Sequence, residues 1–105
     1  MRRLLVRVLK PSRIKDAIVA HPEWQASLVS WLAIVKAASW RHSADVKNSW
    51  KNFSIVGRCV RFEISHNRCR LIAWINYRTQ KVFIRHILSH AEYDTGVWKN
   101  DCNGS

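Results

Sequence analysis

The sequence predicts an α+β fold in which two N-terminal helices pack on a small, mainly antiparallel sheet. Three observations carry that prediction. Apolar residues recur at helical spacing between Ile14 and Val35. From Ile55 onward the apolar period changes to two. Turn-forming stretches at Ser65-His66-Asn67-Arg68 and Arg78-Thr79 divide this second half into strands joined as hairpins. With 105 residues the chain, 1–105, is expected to form one domain with no room for a second core, and an apolar share of 48% excludes a disordered chain.

Taken in order, Leu4 to Leu9 reads as a short strand with Val6 and Val8 on one face. Pro11 and Ser12 end it and begin a helix, in which Ile14, Ala17 and Ile18 form one stripe. His21-Pro22 breaks that helix, because the residue before proline avoids the helical region, and Pro22 suits the first turn of the next one. Trp24, Leu28, Trp31, Leu32 and Val35 then lie on one side of the second helix, where these tryptophans read as core. Two helices joined by a tight break can cover one face of a sheet. Residues 39–53 are irregular with one short helix, capped by Ser43 and carrying Val46 and Trp50 four apart. Val60, Phe62 and Ile64 alternate with Arg61 and Glu63. Leu71, Ala73 and Ile75 alternate with Arg70, Ile72, Trp74 and Asn76, and Val82 and Ile84 continue the core face, giving an antiparallel meander. Residues from about 99 to 105 read as a frayed tail, with Trp98 docking back.

The net charge is +11, from 18 Lys and Arg against 7 Asp and Glu, and Arg outnumbers Lys 11 to 7. A small domain so charged repels itself, and a polyanionic partner offsets that. The flat guanidinium fork grips phosphate and stacks on bases, so the Arg bias suits nucleic acid. A basic surface kept for solubility is the plainer reading. Three cysteines, an odd count with no short pairing motif, are expected as free thiols in a reducing cytosol. The N-terminus begins like a signal peptide, but Arg7 and Lys10 interrupt its apolar run and no small-residue cleavage site follows. No segment approaches the ~18 apolar residues that a membrane span needs. The expectation is a soluble cytoplasmic protein.

Candidate chemistry gathers in residues 82–94. A strand through Arg85 and His86 leads into a polar turn that Ser89 can cap, bearing His90, Glu92, Tyr93 and Asp94. Hairpins centred at 66–67 and 78–79 place Glu63 opposite Arg70, and Ile72 opposite both Arg61 and Arg85. Arg61, Arg70 and Arg85 then share the face away from the helices, beside Trp74 and Phe83, while His86 points into the core as a structural histidine. A slip of one residue would reverse a strand. Such a face suits cleavage of RNA without a metal. A base frees the 2′-hydroxyl to attack the adjacent phosphate, an acid protonates the leaving oxygen, and cations stabilise the charge that builds up. His90 has the range for proton transfer. Tyr93 can orient, donate a proton or stack on a base. Arg61, Arg70 and Arg85 would hold phosphates, and Lys47, Lys51 and Trp74 would extend the RNA contact. Glu92 or Asp94 would fix the histidine tautomer, or serve only as helix charges. The plainer reading leaves Tyr93 packed, Asp94 capping a turn and His90 merely exposed. His-x-Glu also begins the zinc deaminase signature, but the later Pro-Cys-x-x-Cys is absent, and Cys59 and Cys69 lack zinc spacing. No metal or cofactor is expected.

Several segments together carry a family resemblance. They are Arg70-Leu71-Ile72, Ile75-Asn76-Tyr77-Arg78, Val82-Phe83-Ile84-Arg85 and His90-Ala91-Glu92-Tyr93-Asp94, with Ala44-Asp45-Val46-Lys47 and Ile55-Val56-Gly57 in support. From about residue 13 to 98 the chain resembles the HigB-type toxins of bacterial type II toxin–antitoxin systems, a branch of the RelE-like superfamily. The resemblance implies a compact fold with two N-terminal helices on a mainly antiparallel sheet. It implies an mRNA interferase, a metal-independent endoribonuclease that cuts messages on translating ribosomes and arrests growth. It also implies a cognate helix-turn-helix antitoxin of the HigA type, through which alone the toxin meets operator DNA. Arginines, a histidine and a tyrosine recur in RelE-like sites, which points to Arg61, Arg85, His90 and Tyr93 as catalytic. Ser89 stands where that family leads one to expect Thr. The aromatic-rich second helix and the tail after Trp98 are less typical. The alternative is a non-catalytic basic RNA- or DNA-binding module.

Overall fold

In the computed structural model, which describes residues 4–66 and 68–103, β-branched and aromatic runs build a five-stranded sheet. The strands are β1 (Arg7–Leu9), β2 (Phe53–Val56), β3 (Cys59–Ile64), β4 (Cys69–Asn76) and β5 (Lys81–Ser89), in the order β1-β5-β4-β3-β2. β2 to β5 form consecutive antiparallel pairs. β1 pairs in parallel with β5, Arg7 opposite Lys81. The fold is α+β as expected, but the sheet is mixed rather than mainly antiparallel. A parallel pair needs a long crossover, and here everything from the first helix to β4 lies between the two strands.

Helices α1 (Ser12–Ala20), α2 (Gln25–Lys36) and α3 (Ser43–Ser49) cover one face. A 3-10 turn, Pro22–Trp24, joins α1 to α2 at the His21-Pro22 break. The α2 stripe lies where its spacing put it, with Leu28, Trp31 and Val35 fully buried. Trp31 meets Phe62 of β3 edge-on, with ring centroids 5.3 Å apart. Ser43 opens α3 without capping it. Gln80, a buried polar residue in the β4–β5 turn, ties the layers together: its Oε1 accepts from the Trp40 N–H at 2.7 Å, its Nε2 donates to the Trp40 carbonyl, and its own carbonyl accepts from the Arg7 N–H at 2.7 Å.

The helices are not all N-terminal. A fourth, α4 (His90–Asp94), follows β5 and is held by a capping box: the Glu92 N–H donates to Ser89 Oγ at 3.2 Å, and the Ser89 N–H donates to Glu92 Oε1 at 3.0 Å. A second 3-10 turn, Val97–Asp101, then folds back over the opposite face of the sheet. The frayed tail expected from about residue 99 is therefore corrected for Lys99 to Cys102, while residues 104–105 lie outside the described ones. Trp98 is buried, stacks on Tyr93 at 4.9 Å and donates from Nε1 to the Tyr93 carbonyl at 2.9 Å.

Cys102 forms a disulfide with Cys59 across a separation of 43 residues. Free thiols were expected, and Cys69 keeps that state, buried, with its thiol pushed up to about 12 by burial. At Gly57, φ is +57° and a Cβ would lie 1.9 Å from the Cys102 carbonyl oxygen, so only glycine lets the terminal turn sit this close. Cys59, Ile72, Trp98 and Cys102 form a small second core there. Among the described residues no helix is long and apolar enough to cross a membrane.

Two stability outcomes follow. Trp31→Ala should lower the unfolding free energy by about 3–5 kcal/mol in urea titration, because the cavity lies at the centre of the helix–sheet core. Reducing the disulfide, or replacing Cys102 by Ser, should cost about 2–4 kcal/mol in the same measurement; equal midpoints with and without a dithiol would show that the link contributes nothing.

Candidate functional site

The face of the sheet turned away from α1–α3 carries the basic residues. Ladder pairing puts Glu63 opposite Arg70 and Arg61 opposite Ile72, the register that the 65–68 turn predicts. Between β4 and β5 the predicted register holds from Asn76–Lys81 to Ala73–Ile84, then changes. Ala73 pairs with Ile84 but Ile72 pairs with His86, so Arg85 is an extra residue, a β-bulge. Its effect is to put Arg85 and His86 on one side in succession. His86 is therefore not in the core, as expected, but on the arginine face. Ile84 and Ile87, three apart, both reach the core face as a result.

Two linked groups of side chains form the site. In the first, the Arg61 guanidinium donates from Nη1 to Tyr93 Oη, from Nη2 to Ser54 Oγ at 2.8 Å and from Nη2 to Glu63 Oε1 at 3.1 Å. Arg61 and Arg70 lie over the Tyr93 ring, 5.4 and 5.1 Å from its centroid. Arg70 is buried. In the second group, Arg85 and Arg58 lie 4.2 and 4.3 Å from the centroid of Trp74. Trp74, expected as a surface for RNA, thus carries two guanidinium groups on its ring.

Asp101 is the hub of the second group. Its Oδ2 lies 2.5 Å from His86 Nε2 and accepts from Arg85 Nη2 at 3.3 Å. Its backbone carbonyl accepts from Trp74 Nε1 at 3.1 Å and from Arg58 Nε at 2.8 Å. The bond with His86, seconded by that with Arg85, holds the carboxyl below the usual carboxylate range. Among the described residues, Glu63 pairs with Arg61 and Asp101 with Arg85, so four arginines stand with two acids on this face.

The other candidates stand apart. His90 is exposed on α4, its Nε2 3.2 Å from Asp94 Oδ2, and among the described residues no hydrogen bond or ion pair joins it to the arginines. Asp94 is its partner, whereas Glu92 is engaged in the capping box, whose Ser89 N–H and hydroxyl lower its pKa. Lys47 and Lys51 are exposed, Lys47 on α3 in the helical layer; no described hydrogen bond or ion pair links either to the arginine face. Sequence reasoning missed Arg58, His86 and Asp101. One signal was available: Ile84-Arg85-His86-Ile87 breaks strict alternation, and a single extra residue restores both isoleucines to the core.

The Asp101 carboxyl carbon should titrate by NMR below pH 3.8, the ordinary value. The sign is that of a depressed acid: its stabilising contribution is present above that ordinary value and is lost as pH falls through the lower folded one. Titration at or above 3.8 would show that the carboxylate holds neither His86 nor Arg85.

The profile of one toxin family, HigB_toxin, described as the RelE-like toxic component of a toxin–antitoxin system, matches residues 24–96. The mRNA interferase toxin HigB of Escherichia coli strain K12 is 24% identical over 92 residues, covering 85% of this chain and 88% of the relative. The mRNA interferase HigB of Shigella flexneri shows the same identity and coverage. That of Escherichia coli O6:H1 is 22% identical over 92 residues, covering 85% of this chain and 89% of its own. The matched span contains Arg58, Arg61, Arg70 and Arg85 with Trp74 and Tyr93, and runs from Trp24, at the end of the first 3-10 turn, to Gly96, just past α4; this chain belongs to the HigB family of RelE-like toxins.

Proposed function

We propose that this protein is the toxin of a toxin–antitoxin pair and that it cleaves mRNA on its arginine face. Membership of a toxin family supports the reading, as do the relatives named mRNA interferases. The observation that carries it is the convergence of Arg61, Arg70 and Arg85 with Tyr93 and Trp74 on one side of the sheet. Guanidinium groups already oriented by rings and carboxylates need little reorganisation to receive a phosphate, and preorganised charge is the largest contribution to stabilising a phosphorane-like state.

In this mechanism the RNA backbone lies along the arginines, and the 2′-hydroxyl attacks the neighbouring phosphorus. Arg61 and Arg85 hold the phosphate oxygens, and Arg70 adds positive potential from below. The Tyr93 oxygen already accepts from Arg61, so its own O–H is left to donate to a leaving or phosphate oxygen. Of the two proton-transfer candidates on α4, Tyr93 stands in the cluster and His90 outside it, paired with Asp94. Trp74 acts through the arginines it carries, and Lys47 and Lys51 would meet RNA only at its periphery. No metal enters the scheme. The substrate is mRNA on translating ribosomes, in the cytoplasm. The partner is a HigA-type helix-turn-helix antitoxin, which also supplies the contact with operator DNA.

The test is inducible expression in bacteria with mapping of transcript 5′ ends, alone and with the neighbouring gene's product. Wild type should arrest growth and create new 5′ ends within translated messages, and the antitoxin should suppress both. Arg61→Ala and Arg85→Ala should each lower cleavage about 100-fold while circular dichroism stays unchanged. His90→Ala should cost less than about tenfold. Binding of RNA without new 5′ ends would favour the non-catalytic module instead.

A further inference from the structure

We propose that Asp101 is a positioning residue for His86, and that His86, not His90, is the base that takes the 2′-hydroxyl proton. The inference rests on the nuclease reading and deepens it. A histidine serves as a base when one ring nitrogen donates to a fixed carboxylate and the other keeps its lone pair. His86 meets the first condition through Nε2, 2.5 Å from Asp101 Oδ2, which leaves Nδ1 as the acceptor. The two histidines differ in setting. The His86 side chain is 31% exposed and its Asp101 partner 29%, against 66% and 59% for His90 and Asp94. His86 is also next to a phosphate-binding candidate, because the bulge sets Arg85 beside it and Arg85 shares its carboxylate. The charged groups placed against His86 are Asp101, from the terminal turn, and Arg85, from its own strand; β4 offers the apolar Ile72 opposite.

The carboxylate is held in place by contacts that do not depend on its charge. The Asp101 carbonyl is gripped by Trp74 and Arg58, the Arg58 N–H donates to the Cys102 carbonyl at 3.0 Å, and Cys102 is bonded to Cys59 in β3. A surface carboxylate recruited only to balance charge would not need a backbone anchored from three directions. In the reaction, the 2′-hydroxyl proton passes to His86 Nδ1, the O2′–P bond forms and the P–O5′ bond breaks. The departing 5′ oxygen takes a proton from the Tyr93 hydroxyl, and solvent resets both groups. The products are a 2′,3′-cyclic phosphate and a 5′-hydroxyl end.

The rival is that Asp101 is an internal stand-in for phosphate that blocks Arg85. Single-turnover cleavage of a labelled mRNA fragment, free and on programmed ribosomes, separates the two when RNA affinity is measured alongside. For Asp101→Asn, loss of a negative charge should leave binding equal or tighter while the cleavage rate falls at least about tenfold. His86→Gln should lose a similar factor, and the double variant little more than either alone, because the two act as a unit. A faster Asp101→Asn, an unchanged rate in either single variant, or fully multiplying losses would overturn the assignment while leaving the nuclease reading intact. A wild type that cuts neither form of the RNA would overturn that reading and this assignment with it.

Discussion

One extra residue in β5 governs the site. A strand with strict alternation cannot send Ile84 and Ile87 to the same side, and both pack in the helix-covered core. The bulge at Arg85 satisfies the core and leaves Arg85 and His86 as neighbours on the opposite face. One backbone adjustment thus meets two demands, packing on one side and a cation next to an imidazole on the other. The site's second half, Trp74 with Arg58 and Asp101, is arranged around that pair.

The second constraint is electrostatic. Arginines crowded on one surface repel each other, and here aromatic rings and carboxylates spread that cost. Tyr93 takes Arg61 and Arg70, and Trp74 takes Arg58 and Arg85. The carboxylates of Glu63 and Asp101 bond Arg61 and Arg85 respectively. The compensation is partial, which fits a surface meant for a polyanion better than one meant for inertness. The rings also shield guanidinium groups from water, where their attraction for phosphate would be weakest.

Much of this was legible in the residues. The α2 stripe, the break at Pro22, both hairpin centres and the shared face of Arg61, Arg70 and Arg85 followed from periodicity and turn chemistry. What was not legible depended on contacts distant in the chain. Nothing local marks Cys59 and Cys102 as partners, or Asp101 as the partner of His86, because only the folded turn brings them together. The parallel pairing of β1 escaped for the same reason. Gln80 reads as an ordinary turn residue and is instead a buried connector between the strand edge and the helical layer. His90 drew notice by its neighbours in sequence, whereas burial and partnership favour His86.

The position of Asp101 has a consequence for biogenesis. Synthesis runs from the N-terminus, so all five strands are made before the terminal turn exists. The sheet can pair and the helical layer can collapse on it while Arg58, Arg85 and His86 still lack the carboxylate and carbonyl that later fix them. The arginine face is thus finished after its scaffold, and a nascent chain would stay chemically unready until Asp101 itself had been translated.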